Sequence, residues 1–130
     1  MIGYVTLGTN DLEQAAAFYD QLFSTIGVGR FMEAEGFIAW SPAPGVPAVS
    51  VIKPYDDEEA TVGNGTMVAL AVDSPDKVDA LYRKAIELGG KDEGAPGDRG
   101  GNFYAAYFRD ADGNKLNAFC MLSSDEGSDG

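Results

Sequence analysis

The chain contains two strand–helix units in one common register, and this internal repeat limits its possible folds more than any other feature. The clearer copy is the stretch Gly65–Gly90, GTMVALAVDSPDKVDALYRKAIELGG. Its first part, Thr66–Asp73, is short, apolar and rich in β-branched residues, which predicts a strand. Ser74 can cap a helix through its hydroxyl, and Pro75 suits the first helical position, where no N–H is needed. The paired glycines at the end predict the helix stop.

A shift of 63 positions places the start of the chain on this stretch. The capping residue Asp11 then coincides with Ser74, and the apolar positions coincide in pairs. The pairs are Val5 with Val68, Leu7 with Leu70, Ala15 with Val78, Phe18 with Leu81, Tyr19 with Tyr82, Phe23 with Ile86, and Gly27 with Gly90. Two copies of one unit explain the agreement more simply than chance does.

Three further strands follow each helix, so the sequence predicts an α+β fold of two βαβββ modules. Alternation, Gly turns and the Asp112-Gly113 hairpin signal define these strands. The predicted strands are Ile2–Thr9, Arg30–Glu35, Phe37–Ser41, Ala48–Lys53, Thr66–Asp73, a short one near Lys91, Phe103–Arg109 and Lys115–Leu122. The predicted helices are Asp11–Ile26 and the segment from Pro75 to Leu88.

We expect one domain over residues 1–122, with repeats at 1–53 and 65–122 and a linker at 54–64. The linker carries the acidic run Asp56–Glu59, which is typical of a solvated connector. Glycines between 94 and 101 predict a mobile loop that carries Arg99. Residues 123–130 are polar, acidic and glycine-rich, and predict a flexible tail.

Composition excludes several kinds of chemistry. The chain has no histidine, so it has no Ser-His or Cys-His nucleophile pair, no His base and no imidazole metal ligand. The net charge of −12 argues against nucleic acid, because phosphates need cationic surface, and it would suit a cationic ligand or serve solubility. A single cysteine, the absence of a signal-peptide pattern and the absence of a long apolar run favour a cytoplasmic protein without membrane contact.

Three motifs resemble the vicinal oxygen chelate superfamily, which includes glyoxalase I, bleomycin-resistance proteins and extradiol dioxygenases. They are VTLGTNDLEQAAAFY, GNGTMVALAVDSPDKVDALYRKAIELGG and YAAYFRDADGNKL, which span nearly the whole chain outside the acidic tail. The resemblance implies that the two βαβββ modules form curved, cup-like mixed sheets with a ligand inside. It also implies a homodimer, in which the cup often forms between modules of different chains.

The same resemblance locates three places where metal-using relatives hold ligands, and this chain has replaced each of them. A histidine at the head of strand 1 is here Tyr4, and its repeat mate at the head of the second module is Met67. A glutamate in the last strand is here Asn117. The fourth place lies in Ala48–Lys53, which contains neither carboxylate nor imidazole. We therefore expect no metal and no other cofactor, since tyrosine, methionine and asparagine do not suit a hard divalent cation.

Alternation suggests the side chains that line the cup. We predict a ligand-binding set of Tyr4, Trp40, Met67, Asn117 and Phe119, joined by Arg99, which could reach an anionic group. Each could instead be structural: Phe119 could fill a core, and Arg99 could be solvated. Tyr104 and Tyr107 should lie on opposite faces of their strand, and Cys120 should face the helix. No catalytic residue is assigned.

Three functions remain open from the sequence. The first is a metal-free cup that binds a small molecule, in the manner of bleomycin-resistance proteins. The second is a glyoxalase-type lyase or dioxygenase-like enzyme with a divergent active site. The third is a non-catalytic interaction domain whose cup is filled by its own side chains.

Overall fold

The computed structural model of the protein describes residues 1–122, which form two βαβββ modules in sequence order. The predicted tail at 123–130 lies outside the described residues. The elements are β1 (Tyr4–Gly8), α1 (Leu12–Ser24), β2 (Arg30–Ala34), β3 (Phe37–Trp40), β4 (Ala48–Ile52), β5 (Val68–Ala71), α2 (Pro75–Glu87), β6 (Lys91–Asp98), β7 (Phe103–Arg109) and β8 (Lys115–Met121). The α+β class and the two-module order are confirmed.

Each module forms its own four-stranded mixed sheet, and the two sheets have equivalent strand orders. The first sheet runs β1-β4-β3-β2 and the second runs β5-β8-β7-β6. In each, the first strand pairs in parallel with the last, and the remaining pairs are antiparallel. Strands β1 and β5 therefore lie at sheet edges, and no ladder joins the two sheets within residues 1–122.

Both helices begin at the caps that the sequence predicts. The backbone N–H of Gln14 donates to Asp11 Oδ1 at 3.1 Å, and that of Lys77 donates to Ser74 Oγ at 3.3 Å. Each bond satisfies an amide that the first helical turn leaves without an internal partner. Neither helix is long and apolar enough to cross a membrane.

The two modules share one hydrophobic core, built from both helices and one face of each sheet. Leu22 of α1 and Leu81 of α2 are fully buried in it, together with Val51 of the first sheet and Leu116 of the second. Each sheet consequently has a second face on the side away from this core. We call these the first open face and the second open face, for the first and second sheets.

Asp110 ties the second module to the first. Its carboxylate accepts from Tyr19 Oη of α1 at 2.6 Å, from the backbone N–H and Nδ2 of Asn114, and from the backbone N–H of Asp112. Asn114 Nδ2 also donates to the carbonyl of Gly8 at the end of β1. The β7–β8 turn is thus fixed against the first module.

The glycine-rich segment after α2 is mostly strand rather than the mobile loop predicted from its composition. β6 extends to Asp98 and pairs with β7, with register shifts between Asp92 and Gly94 and between Gly94 and Gly97. Such bulges accommodate extra residues without ending a strand, and glycine is suited to them. Only the turn from Arg99 to Asn102 remains outside the ladder.

Candidate functional site

The second open face can be read from the ladder of β8 with its neighbours. Leu116, Ala118 and Cys120 point into the shared core, so the alternating residues Asn117 and Phe119 lie on the open side. Paired residues in a sheet share a face, which brings Ala69, Tyr107 and Ala105 to the same side. Within this set the predicted positions of Asn117 and Phe119, and the helix-facing position of Cys120, are confirmed.

Asn117 is the most enclosed polar side chain on this face, with 1% of its surface exposed. Its Nδ2 donates to the carbonyls of Ala106 and Ala118 at 3.0 and 3.3 Å. These two bonds fix the orientation of the amide, so Oδ1 is the atom left for another partner. No donor within residues 1–122 bonds to Oδ1, and this oxygen retains contact with solvent.

Aromatic side chains lie on the same face as this amide. The rings of Phe103 and Phe119 stack at 5.3 Å with an interplanar angle of 29°. Tyr107 is the direct cross-strand neighbour of Asn117. Its ring has two cations near it, Arg99 Cζ at 5.7 Å and Lys115 Nζ at 5.6 Å from the centroid. An apolar surface with a few polar groups at its centre is typical of a small-molecule site.

Tyr104 and Tyr107 lie on opposite faces of β7, as predicted. Its hydroxyl donates to Asp79 Oδ1 of α2 at 2.7 Å, so it faces the helix while Tyr107 faces away. The pKa of Tyr104 is raised, chiefly because the ionised phenol would lose this bond to a carboxylate.

Tyr4 and Met67, the repeat mates at the head of each module, are both exposed and lie on different sheets. Met67 directly precedes β5, two residues before Ala69, the cross-strand partner of Asn117. It is 42% exposed, and alternation places it on the side of Ala69. Tyr4 is 64% exposed in β1 of the first sheet. One chain therefore does not bring Tyr4, Met67 and Asn117 into one cavity.

Trp40 lies on the opposite face from the one expected. It is 2% exposed and packs between Tyr19 and Phe23 of α1, with ring centroids 5.5 and 5.9 Å away. Its Nε1 donates to Asp20 Oδ1 at 2.9 Å. Trp40 therefore points away from the first open face, and its cross-strand partner Val49 packs on the helix-facing core as well.

Asp20 joins this indole to a cation at the protein surface. Arg30 donates to both carboxylate oxygens at 2.8 and 2.9 Å. The hydrogen bond from Arg30, with a smaller effect from Trp40, holds the pKa of Asp20 below its ordinary value. This cluster stabilises the packing of α1 on the first sheet and is separate from the open faces.

An apolar groove of about 870 Å³ lies between the modules. It runs along the free edge of β5 and past the end of α1. Of the predicted set, Met67 and Trp40 contribute to its wall, whereas Tyr4, Asn117, Phe119 and Arg99 do not. The groove and the second open face are thus adjacent surfaces that meet at β5.

Comparison with known proteins identifies the family. The family model described as Glyoxalase/Bleomycin resistance protein/Dioxygenase superfamily matches residues 1–118. The chain belongs to this superfamily. A glyoxalase/bleomycin resistance protein from Albidiferax ferrireducens is 36% identical, with a TM-score of 0.86, over 92% of this chain and 98% of that one.

A second solved member shows the same fold at greater distance. It is a glyoxalase/bleomycin resistance protein/dioxygenase family enzyme from Burkholderia phytofirmans, 22% identical with a TM-score of 0.73, over 92% of this chain and 98% of that one. No curated protein matches the chain.

The side chains at the superfamily's metal positions do not fit a hard divalent cation. A thioether, a phenol and an amide whose nitrogen is already bonded replace the imidazole and carboxylate donors that such a site uses. Within residues 1–122, no three His, Cys, Asp or Glu side chains come together in a way that could hold a metal ion.

Several side chains on the second open face were not predicted. Lys115 shares this face with Asn117, since both lie in β8 two residues apart. Arg109 also lies on this side, and its Nε is 3.5 Å from Glu93 Oε1. Lys91 is the cross-strand partner of Arg109. The alternation of side chains along β7 and β8 could have predicted from the sequence that Lys115 and Arg109 lie on this face. The face of Glu93 could not be predicted in this way, because the bulges in β6 interrupt the alternation.

Proposed function

We propose that the protein binds a small organic molecule, without a metal ion, in a cup on the second open face that the first open face of a partner copy closes. The observation that carries the proposal is the state of Asn117. Its Oδ1 has no donor within residues 1–122 and is open to solvent, so it can accept a hydrogen bond from a bound molecule. A ligand hydroxyl or N–H over Asn117 would satisfy it.

The aromatic side chains around Asn117 support a ligand with an apolar body. The Phe103–Phe119 pair offers a flat surface beside the amide, and Tyr107 adds a second ring next to it. Burying one ring-sized apolar group there contributes about 2 kcal/mol. Phe119 and Asn117 therefore remain in the proposed binding set, with Met67 at its margin, while Trp40 leaves it.

A homodimer is proposed because the predicted site is divided between two sheets. Tyr4 lies on the first sheet and Met67 on the second, and the shared core separates the open sides of these sheets within one chain. A twofold arrangement would set the first open face of each copy against the second open face of the other. It would also cover exposed apolar side chains, among them Met32 and Met121.

The enzyme alternative lacks a comparable observation. Glu93 is the carboxylate on the second open face, and it is already paired with Arg109. The third alternative is an interaction domain, which would use the apolar groove beside β5 as its binding surface. We propose instead that the partner copy of the dimer covers this groove. The cytoplasmic location stays a prediction.

Nuclear magnetic resonance in the presence of a chelator tests the proposal. We expect small aromatic alcohols and hydroxy acids to shift the backbone amide signals of Asn117, Tyr107 and Phe119 in 1 mM EDTA. Asn117→Ala should abolish these shifts, and the matched control Asn64→Ala, at an exposed linker position, should leave them unchanged. Binding that needs an added divalent metal, or shifts confined to the groove beside β5, would contradict the proposal.

A further inference from the structure

The cations of this acidic protein are unevenly placed. The chain has 9 Lys and Arg against 21 Asp and Glu. Four of the cations, Lys91, Arg99, Arg109 and Lys115, lie on or over the second open face. Within residues 1–122, the carboxylate that faces them is that of Glu93. The paired residues on the first open face carry no formal charge; they are Tyr4, Thr6, Ala39, Ala48 and Ser50. Among the described residues, the side chains of these two faces therefore carry more positive than negative charge.

Arg99 is held in place over this face. Its Nη2 donates to the carbonyl of Ala95 at 2.5 Å, and its guanidinium lies by the Tyr107 ring. The space that it occupies depends on two glycines of β6. A Cβ at Gly97 would lie 2.8 Å from Arg99 Nη1, and a Cβ at Gly94 would lie 3.4 Å from Nη2. The bulged, glycine-rich strand thus leaves room for the guanidinium to fold back over the sheet.

Lys115 approaches the same ring from β8, and neither cation has a carboxylate partner within residues 1–122. By contrast, Arg109 has Glu93 at 3.5 Å, and Arg30 has two acidic partners. Both cations therefore lie near the same ring with no carboxylate paired to them within residues 1–122. An anionic group bound beside Tyr107 would gain from either cation, because charge-assisted hydrogen bonds are the stronger ones.

We propose that the cup is specific for organic oxyanions, with Arg99 and Lys115 holding the carboxylate or phosphate group beside Tyr107. A hydroxyl or N–H of the same ligand donates to Asn117 Oδ1, and its apolar part lies on the Phe103–Phe119 pair. This inference rests on the proposed function and gives it a ligand class. It replaces the cationic ligand suggested by the net charge, because the local side chains, rather than the total, act on a bound group.

Four probes that share one ring test the charge preference. They are benzoate, phenyl phosphate, the neutral benzyl alcohol and the cation benzyltrimethylammonium, each titrated into the full-length protein while amide signals of the second open face are followed. We expect the two anions to bind at least about tenfold more tightly than the other two probes, which corresponds to ~1.4 kcal/mol. Comparison of benzoate with phenyl phosphate then decides which oxyanion is preferred.

Three variants separate charge from position. Arg99→Gln and Lys115→Gln should each weaken binding of the preferred anion by about tenfold or more, as expected for the loss of a charge-assisted hydrogen bond. Gly97→Ala keeps the charge of Arg99 but displaces its guanidinium, so it should weaken the anion severalfold and leave benzyl alcohol unchanged. The double control Arg83→Gln/Lys53→Gln removes the same charge from exposed positions elsewhere and should have no effect.

The outcomes distinguish this inference from the proposed function. Equal or tighter binding of benzyl alcohol or benzyltrimethylammonium to the same face would overturn the anion preference and leave the binding cup intact. Equal losses in the control and in Arg99→Gln/Lys115→Gln would overturn the roles of these two cations. If no probe shifts the second open face, the proposed function fails together with the inference.

Discussion

The hydrogen bond from Tyr19 to Asp110 should contribute more to stability than its counterpart in the second module. Tyr19 and Tyr82 are repeat mates, and each donates to an aspartate, at 2.6 Å to Asp110 and at 2.9 Å to Asp92. Tyr19 has 0% exposure and Asp110 is buried, whereas the Tyr82 bond is exposed to solvent. The two modules therefore provide the same bond in two environments.

The difference in stability between the two Tyr→Phe variants depends on whether the aspartate that loses its donor is buried or exposed. Tyr19→Phe leaves a buried carboxylate without one of its donors, and a hydrogen bond to a charged group contributes about 1.5–3 kcal/mol. We expect this variant to lower the free energy of unfolding by about 2 kcal/mol. Tyr82→Phe should cost about 0.5 kcal/mol or less, because water replaces the lost partner. Tyr104→Phe, whose bond to Asp79 is partly buried, should fall between them.

Urea denaturation at pH 7 and one fixed protein concentration measures all three variants. The concentration must be constant because any dimer would add to the apparent stability by mass action. Unchanged slopes with shifted midpoints would show that only stability has changed. Tyr19→Phe costing no more than Tyr82→Phe would refute the claim that burial sets the strength of this bond.

Three further predictions concern single positions. Burial raises the pKa of Asp110 above its ordinary value of 3.8, so the folded state binds more protons than the unfolded state between these two values. The free energy of unfolding of the native protein should therefore fall relative to that of Asp110→Asn as pH rises through this window, and parallel pH profiles would contradict it. Gly90→Ala would place Cβ 2.7 Å from two backbone oxygens, so it should lower the free energy of unfolding by about 3 kcal/mol. Gly89→Ala has open space around Cβ but a positive φ, so it should lower this free energy by about 1 kcal/mol. Equal urea midpoints for the two variants would disprove this difference. Cys120 is buried and its pKa is raised by burial, so a thiol reagent should modify it only after unfolding, and fast labelling of the native protein would be inconsistent with its position.

The repeat predicted the fold because both modules follow the same local rules. Caps at Asp11 and Ser74 and the hairpin signal at Asp112-Gly113 act within a few residues, so they could be read directly. Alternation also placed Asn117 and Cys120 on opposite faces correctly, because that strand has a polar residue among apolar ones. These predictions required no knowledge of how the two sheets pack.

Other features depended on contacts that local pattern does not encode. The strand around Trp40 is FIAW, which is apolar throughout, so alternation could not say which residues face the helix. The bond between Tyr19 and Asp110 joins residues 91 positions apart. The convergence of Arg99 and Lys115 on one ring depends on the bulges of β6, which the sequence suggests only as glycines.

The arrangement of the cup between two copies is tested most directly by intermolecular nuclear Overhauser effects in a mixed dimer. One copy would carry labelled methionine methyl groups in a deuterated background, and the other would carry protonated tyrosine. We predict contacts from the Met67 methyl group of one copy to the Tyr4 ring of the other, which persist in EDTA and change when the preferred anion is added. A dimer that shows no Met67–Tyr4 contact, or a monomer that binds the anion equally well, would contradict the proposed cup.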